Sequence, residues 1–378
     1  MSTAAVTERP ASVKEASELL RELGGAGRRV RVRGGDTKLG WTPGAGKFEV
    51  VLQTGGLDRV LEHNAGDFTA VLETGVPLAA AQERFAAHGQ MLALDPPLLD
   101  GRATLGGVLA SADSGPLRHR YGSVRDLVLG VTVVLSDGTV AKSGGRVIKN
   151  VAGYDLGKLF AGSRGTLGLI ARVAVRLHPL PRRTATVTAA SADAARLAGA
   201  AARLAGLPLE ADCLDIAWSD GQGELLVRFS GATASERAAQ ALHRAGELGL
   251  EDPRCTEEDD ELWERQRAAQ RRPDGAVVKV AHVITDLEAV LRAADRARAR
   301  VVSRAGLGVS WLALAGDGDD LAARIAVLRQ QLAETSPTVL DGAHLVSDPR
   351  PAPVAGALAV MERLKARFDP ARIFPEGV

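Results

Sequence analysis

Three glycine-bearing segments have the residue types and spacing to do chemistry. The first, Arg33-Gly34-Gly35-Asp36-Thr37-Lys38, sets consecutive backbone N–H groups, a hydroxyl and a cationic side chain side by side. That set suits a pyrophosphate, whose two negative charges call for N–H donors and a cation at short range. The second, TLGGVLASADSG, has the adjacent Gly106 and Gly107 followed by the small residues Ala110, Ser111, Ala112 and Ser114. It leaves room for something flat and offers hydroxyls and amides to a polar ring edge. The third, GSRGTLG, ends at Gly168. Residues 101–170 hold 14 of the 42 glycines and both tyrosines, Tyr121 and Tyr154. Glycine allows a main chain to lie against a large flat ligand that side chains would hold off, so the pattern points to a flat cofactor carrying a pyrophosphate. Taken singly, each segment has a plainer reading: a glycine turn after a strand, a helix packed closely through small residues, and an idle glycine-rich loop. The first matches neither the G-x-G-x-x-G fingerprint nor the P-loop, which speaks against the usual nicotinamide and ATP sites.

The elements that would carry these segments can be read outward from them. Ser12-Val13-Lys14-Glu15 has the capping-box pattern, and Val13, Ala16, Leu19, Leu20 and Leu23 form one apolar helical stripe that ends at Gly24-Gly25. A short strand follows, with Val30 and Val32 alternating with arginines and running into Gly34-Gly35. A second helix is expected from Pro77 to just before Gly89. LALDPPLLDG then reads as an irregular connection, because Pro96-Pro97 cannot continue a ladder. VTVVLSDGTVAKSG reads as a hairpin turned at Asp137-Gly138, and Val173, Val175 and Leu177 mark a further strand. Beyond residue 181 the chain alternates Ala- and Arg-rich helices, near 191–205, 233–247, 257–271, 286–300 and 317–333, with strands such as LDIAW, LLVRF, AVVKVAHV and GVSWLALA. A last helix, about 355–368, carries Leu358, Met361, Leu364 and Phe368 on one side and is stopped by Asp369-Pro370.

Composition narrows the function classes. A chain of 378 residues exceeds the size at which single cores stop growing, so two domains are expected. Its 47 Lys and Arg nearly cancel 46 Asp and Glu, leaving no overall field for a polyanion, and no nucleic-acid partner is expected. There is no apolar run of the roughly 20 residues that span a bilayer, and MSTAAVTERPAS lacks the apolar core of a signal peptide. A cytoplasmic protein is expected. Two cysteines, Cys213 and Cys255, are too few for an iron–sulfur cluster.

In order and spacing these segments, with LDPP, RYGSVRD, VVLSDGT, KNVAGYDLGKLF and the terminal LKARFDPARIF, resemble the FAD-linked oxidases of the vanillyl-alcohol oxidase/p-cresol methylhydroxylase (PCMH-type) superfamily. Within it the chain is similar to the smaller, FAD-binding E subunits of bacterial glycolate oxidases. The resemblance implies an α+β fold: a PCMH-type FAD-binding domain over 12–180, in two subdomains (12–64 and 65–180), then a smaller α+β, ferredoxin-like domain over 181–352 on the substrate side. A C-terminal helix and tail, 353–378, would return to the flavin domain. The resemblance also places the cofactor. Arg33, Gly34, Gly35, Asp36, Thr37, Lys38 and Leu39 would wrap the FAD pyrophosphate, with Pro96 nearby. Thr104, Leu105, Gly106, Gly107, Ala110, Ser111 and Gly115 would pass along pyrophosphate and flavin. Gly165, Thr166, Gly168 and Ile170 would add backbone contacts, and Tyr121-Gly122 and Tyr154-Asp155 would lie close by. Tyr154 fits a core tyrosine as well, and Asp155 a helix cap.

Two departures shape the expected chemistry. Relatives with covalent flavin commonly carry a histidine in the first loop; here Asp36-Thr37 follows the glycines, so noncovalent FAD is expected. Relatives that oxidise 2-hydroxy acids themselves usually carry a metal motif H-x-H…D-G-N-x-H, which this chain lacks. No metal site and no catalytic residue is assigned; His243, His282 and His344 read as structural, and His119 is the one histidine close in sequence to the cofactor segments. The resemblance thus implies a subunit that binds FAD beside a larger FAD-containing catalytic subunit and an iron–sulfur subunit. Together they would oxidise glycolate to glyoxylate by hydride removal to flavin and pass electrons to a quinone, with the complex held peripherally at the inner face of the membrane. Two other readings stay open: a self-sufficient oxidoreductase using Arg120, Arg146 or Lys149 to hold a carboxylate, and a noncatalytic FAD-containing scaffold.

Overall fold

A computed structural model of the chain describes residues 5–41, 48–145, 156–350, 354 and 356–376. The chain divides into two units, one of Met1–Ser114, Gly122–Leu180 and Ala352–Val378, the other of Gly115–Tyr121 and Pro181–Pro351.

The first unit begins with strand β1 (Val6–Glu8), helix α1 (Val13–Gly25) and strands β2 (Val30–Arg33) and β3 (Val50–Gln53). The capping box forms: Glu15 N–H donates to the Ser12 hydroxyl at 3.1 Å, and Ala11 N–H donates to the Glu15 carboxylate at 2.9 Å. Ala16, Leu20 and Leu23 turn inward, flanked by the half-buried Val13 and Leu19. The three strands form a parallel sheet in the order β1-β3-β2. Strand β1 has no counterpart in the sequence reading. Three residues are too few to show a period, and β1 stays largely exposed, held by its backbone ladder to Val50–Leu52.

Next come β4 (Val60–Asn64), β5 (Thr69–Glu73), α2 (Leu78–Ala86), β6 (Gln90–Met91) and α3 (Leu105–Ser111). The short α4 (Arg118–Tyr121) belongs to the second unit. Then follow α5 (Val124–Leu127), β7 (Val128–Val134), β8 (Val140–Gly144), α6 (Leu156–Phe160), β9 (Leu169–Arg176) and β10 (His178–Pro179). Five of these strands pair antiparallel in the order β4-β5-β9-β7-β8. The β7–β8 hairpin turns at Asp137-Gly138, where Gly138 takes φ +81°. Leu72, Phe85, Leu105, Val108, Phe160 and Val173 belong to one core, built with α2, α3, α5 and α6. A second core joins α1 to both sheets through Leu20, Leu52, Val134 and Leu169. Burying each such leucine or phenylalanine contributes roughly 1.5–3 kcal/mol.

The second unit runs β11 (Thr184–Ser191), α7 (Ala194–Ala205), β12 (Cys213–Ser219), β13 (Gln222–Ser230), α8 (Ala234–Glu247), β14 (Glu251–Thr256) and α9 (Asp260–Ala268). It continues with β15 (Gly275–Ala281), α10 (Leu287–Arg296), β16 (Ala299–Arg304), β17 (Val309–Ala315), α11 (Gly318–Gln331) and β18 (Thr338–Val339). All eight strands form one antiparallel sheet, β14-β11-β13-β12-β16-β17-β15-β18. This order is a mirrored duplication. Counted within each half the strands stand 4-1-3-2 and then 2-3-1-4, so each half is a β-α-β-β-α-β ferredoxin-like unit. The sequence led us to expect one such unit, and the structure builds two. They join where β12 meets β16 over three residue pairs, Ile216↔Ser303, Ala217↔Val302 and Trp218↔Val301. The Trp218 indole N–H crosses the join and donates to Asp295 Oδ1 at 2.7 Å.

The final helix, α12 (Ala357–Phe368), belongs to the first unit. Its apolar side differs from the expected stripe. Leu358 and Met361 are exposed, whereas Leu364 and Phe368 are half-buried around a buried Lys365. The inward face is set by the polar partners that Lys365 finds, described below, and Phe368 meets the Phe160 ring edge-on at 5.6 Å.

Candidate functional site

The three glycine segments converge within the first unit. Leaving β2, the chain turns through Gly34 and Gly35 into Asp36, which takes the left-handed φ of 63°. The Asp36 carboxylate receives Arg33 Nε at 2.7 and 2.6 Å, so the loop carries its own clamp. The glycines are needed because the loop sits directly on residues 102–104. A Cβ on Gly34 would fall 2.5 Å from Thr104 Oγ1, and one on Gly35 would fall 1.6 Å from the Arg102 carbonyl oxygen.

Helix α3 starts at the same place. Thr104 caps it, accepting from Gly107 N–H at 3.2 Å. Gly106 lies against Thr74, where a Cβ would come within 2.7 Å of the Thr74 Cβ, and its N–H donates to the Thr74 carbonyl at 2.8 Å. Thr74 also donates its hydroxyl to the Ile170 carbonyl at 2.5 Å, which ties α3 to the third segment. That segment is fixed to the far end of α3 by Gly162 N–H to the Leu109 carbonyl at 3.0 Å and Arg164 N–H to the Ala110 carbonyl at 2.7 Å. Ala112, ending α3, and Arg164 both take left-handed φ, 49° and 53°. Each such non-glycine residue costs roughly 1 kcal/mol, a cost usually met where surrounding structure over-determines the loop.

Between these segments lies a cleft partly open to solvent. Residues 34–39, then Thr104, Gly106, Gly107, Ala110 and Ser111, then Gly165, Gly168 and Ile170 line it. Val32, Trp41, Thr54, Thr74 and Arg164 line it too. The sequence reading did not single out these five. Arg164 stood inside GSRGTLG, which was read for its glycines, and Trp41, one of only four tryptophans, was the available signal.

The charges at the cleft are largely balanced. Lys38 Nζ is 3.2 Å from Asp113 Oδ2, with both side chains almost fully buried, and the ammonium stands 5.9 Å from the centre of the Trp41 ring. Arg164 Nη1 donates to the Trp41 carbonyl at 2.9 Å. Lys38 and Arg164 place two cationic side chains on the lining of the cleft, while Asp36 is matched by Arg33. Cations at that position suit a pyrophosphate. The Ser111 hydroxyl, expected to face a ring edge, donates back to the Gly107 carbonyl at 2.7 Å. At Gly107 an added Cβ would meet within 4 Å, among the described residues, only Thr104 Oγ1, at 3.2 Å, and Gly107 lines the cleft. The residues present thus fit a flat, pyrophosphate-bearing group.

Other residues marked by the sequence stand outside the lining. The Arg33 side chain is held by Asp36, and Pro96 and Leu105 are buried. Thr166 bonds its hydroxyl to the Ser163 carbonyl at 2.7 Å. Gly122, at φ +79°, lies against Asp126. Gly115 and Tyr121 belong to the second unit, as do His119 and Arg120. There Arg120 Nε is 3.1 Å from Asp212 and its Nη1 donates to the Glu210 carbonyl at 3.1 Å. The His119 ring lies against Gly306, where a Cβ would fall 2.5 Å from Cε1. Burial pushes the His119 pKa down and the Asp212 charge opposes it. His243 pairs with Glu247 at 3.2 Å, and His282 bonds the Val283 carbonyl and the Ser310 hydroxyl, each at 2.9 Å. Arg146, Lys149, Tyr154 and Asp155 lie outside the described residues. Among the described residues no helix is long and apolar enough to cross a membrane.

Comparison with known proteins bears on the same segments. Residues 4–144 match the family model of an FAD binding domain. Glycolate oxidase subunit GlcE of Escherichia coli (strain K12) is 33% identical over 184 residues, 48% of this chain and 51% of that one. A mitochondrial D-lactate dehydrogenase [cytochrome] of Arabidopsis thaliana is 34% identical over 173 residues, 46% of this chain and 30% of that one. Glycolate oxidase subunit GlcD of Bacillus subtilis (strain 168) is 37% identical over 134 residues, 35% and 28% of the two chains. The matches thus span about half or less of these relatives' lengths. Among solved structures, alkyldihydroxyacetonephosphate synthase superposes with a TM-score of 0.73 at 15% identity, covering 98% of this chain and 76% of the other, a likeness of fold. The first two glycine segments of the cleft lie within the FAD-domain match, and the chain takes FAD as its cofactor.

Proposed function

We propose that the chain is the FAD-binding subunit of an oxidoreductase complex that oxidises a small 2-hydroxy acid, glycolate, to its 2-oxo acid. The observation that carries this reading is the single cleft assembled from three separate glycine segments, with Lys38 and Arg164 on its lining. Bound there, FAD supplies a two-electron acceptor. The chain's own residues would do the rest. Gly107 and its neighbours on α3 would let the cofactor lie close to the backbone, Lys38 and Arg164 would offset phosphate charge, and the Arg33–Asp36 clamp would keep the first loop in shape. No histidine stands in that loop, which supports noncovalent attachment; flavin colour staying with acid-precipitated protein would overturn it.

Relatives named as glycolate oxidase subunits support a multi-subunit complex, in which the proposal sets this chain beside a larger FAD-containing catalytic subunit and an iron–sulfur subunit, with a quinone as final acceptor. The engagement of His243 and His282 in local bonds agrees with substrate chemistry resting on the partner. The deciding measurement is anaerobic reduction of the purified flavoprotein with glycolate, alone and co-expressed with candidate partner subunits. Flavin bleaching only in the complex is the expected result. Bleaching of the isolated chain by glycolate or D-lactate would make it self-sufficient, and none in any combination would leave a scaffold.

A further inference from the structure

Behind the cleft, the segment from Lys365 to Pro375 holds one of its loops and the start of strand β2, which leads into another, without lining the cleft. Lys365 Nζ donates to the Thr166 carbonyl at 2.8 Å, in the loop between Arg164 and Ile170. The same ammonium bonds Asp369 Oδ2 at 2.5 Å and the Phe374 and Pro375 carbonyls at 3.2 and 2.9 Å. Asp369 in turn accepts from the N–H groups of Ile373 and Phe374, at 3.2 and 3.1 Å. The Ile373 carbonyl then accepts from Val30 N–H at 2.8 Å, at the start of the strand that ends in the Gly34-Gly35 turn. Ile373 and Phe374 are themselves fully buried in the core beneath that strand.

A buried lysine needs acceptors for its three protons and a counter-charge, and here one carboxylate and three carbonyls meet the need. One of those carbonyls belongs to Thr166, in the cleft loop whose other end is tied to α3 through Gly162 and Arg164. We propose that this C-terminal segment is a latch, with Lys365 as its positioning residue, whose docking and the binding of FAD are thermodynamically coupled. A loop fixed by the latch binds FAD more tightly, and by linkage FAD must tighten the latch by the same factor. This rests on the placement of FAD in the cleft.

The test has two arms. In the unaltered protein, amide hydrogen exchange is measured with and without saturating FAD. The expected result is slowing of at least tenfold at 365–374, with residues of the mirrored sheet unchanged. In the second arm, FAD affinity is measured by flavin fluorescence for the double variant K365M/D369N, which removes both buried charges together and so leaves neither uncompensated. A rise in Kd of at least tenfold is expected, while Asp295→Ala, in the second unit, stays within twofold of the parent. Equal exchange at 365–374 in free and FAD-bound protein overturns the latch, as does a folded double variant that binds FAD normally. If the double variant fails to fold, the exchange arm decides alone. Failure of the unaltered chain to take up FAD would overturn both the latch and the placement of the cofactor.

Discussion

Two glycines that look alike in the sequence do different work. A Cβ on Gly35 would overlap the Arg102 carbonyl, whereas one on Gly107 would meet only the Thr104 hydroxyl among the described residues, at 3.2 Å, so they separate loop packing from cofactor approach. Gly35→Ala should disrupt the loop and lose FAD together with stability. Gly107→Ala should keep the fold, since alanine is the better helix former by up to about 1 kcal/mol, yet weaken FAD binding at least tenfold, roughly 1.4 kcal/mol. Thermal melts and FAD titration of both variants would check this, and normal binding in Gly107→Ala would move the cofactor off α3. The Lys38–Asp113 pair yields a second expectation. Asp113→Asn leaves a buried ammonium without its anion, a loss that costs roughly 3–5 kcal/mol when one partner of a buried pair is removed. FAD phosphates would restore a counter-charge, so FAD should raise the melting temperature of this variant by more than that of the parent. An equal rise in both would place the phosphates away from Lys38.

At the scale of elements, local patterns were legible where one strong rule acted alone. Ser12 and Glu15 announced α1, and Asp137-Gly138 announced the β7–β8 turn. Strand β1 was not legible because its three residues carry no period and gain only a ladder. The inward face of α12 was misjudged because burial of Lys365 depends on carbonyls distant in sequence, which no helical stripe reveals. The duplication in the second unit was hidden for a related reason. Its halves share an order of strands, and pairing order leaves no mark on composition. The join between them is short, and Asp295 holds it from α10. Asp295→Ala should leave the buried Trp218 N–H without its acceptor and cost about 1–3 kcal/mol, read as a lower denaturation midpoint. Asp295→Asn, which keeps an acceptor, should recover most of the loss.

For the molecule as a whole, acid should act through groups held neutral by burial. His119 has its pKa lowered from the ordinary value of 6.5, first by burial, with Asp212 opposing. A histidine kept neutral in the fold contributes stability that is fully present above the unfolded value and declines as pH falls from about 6.5 towards the depressed folded value. Stability should therefore drop between pH 7 and 5, and His119→Gln should flatten that slope; an unchanged slope would assign it to other groups. The glycine segments of the site could be picked out from spacing, but their convergence could not. Trp41, Thr54 and Thr74 enter the cleft only because the first unit folds its three-stranded and five-stranded sheets around the same loops.

The first unit is also discontinuous in time. On the ribosome, Val30 and Thr166 emerge well before their partners Ile373 and Lys365, with the whole mirrored sheet made in between. At roughly 5–20 residues per second, Thr166 waits on the order of ten to forty seconds for Lys365 and Val30 about seventeen to seventy for Ile373. The nascent chain can therefore complete a firm flavin pocket only after residues 365–375 have emerged, so acquisition of FAD should follow synthesis of the second unit.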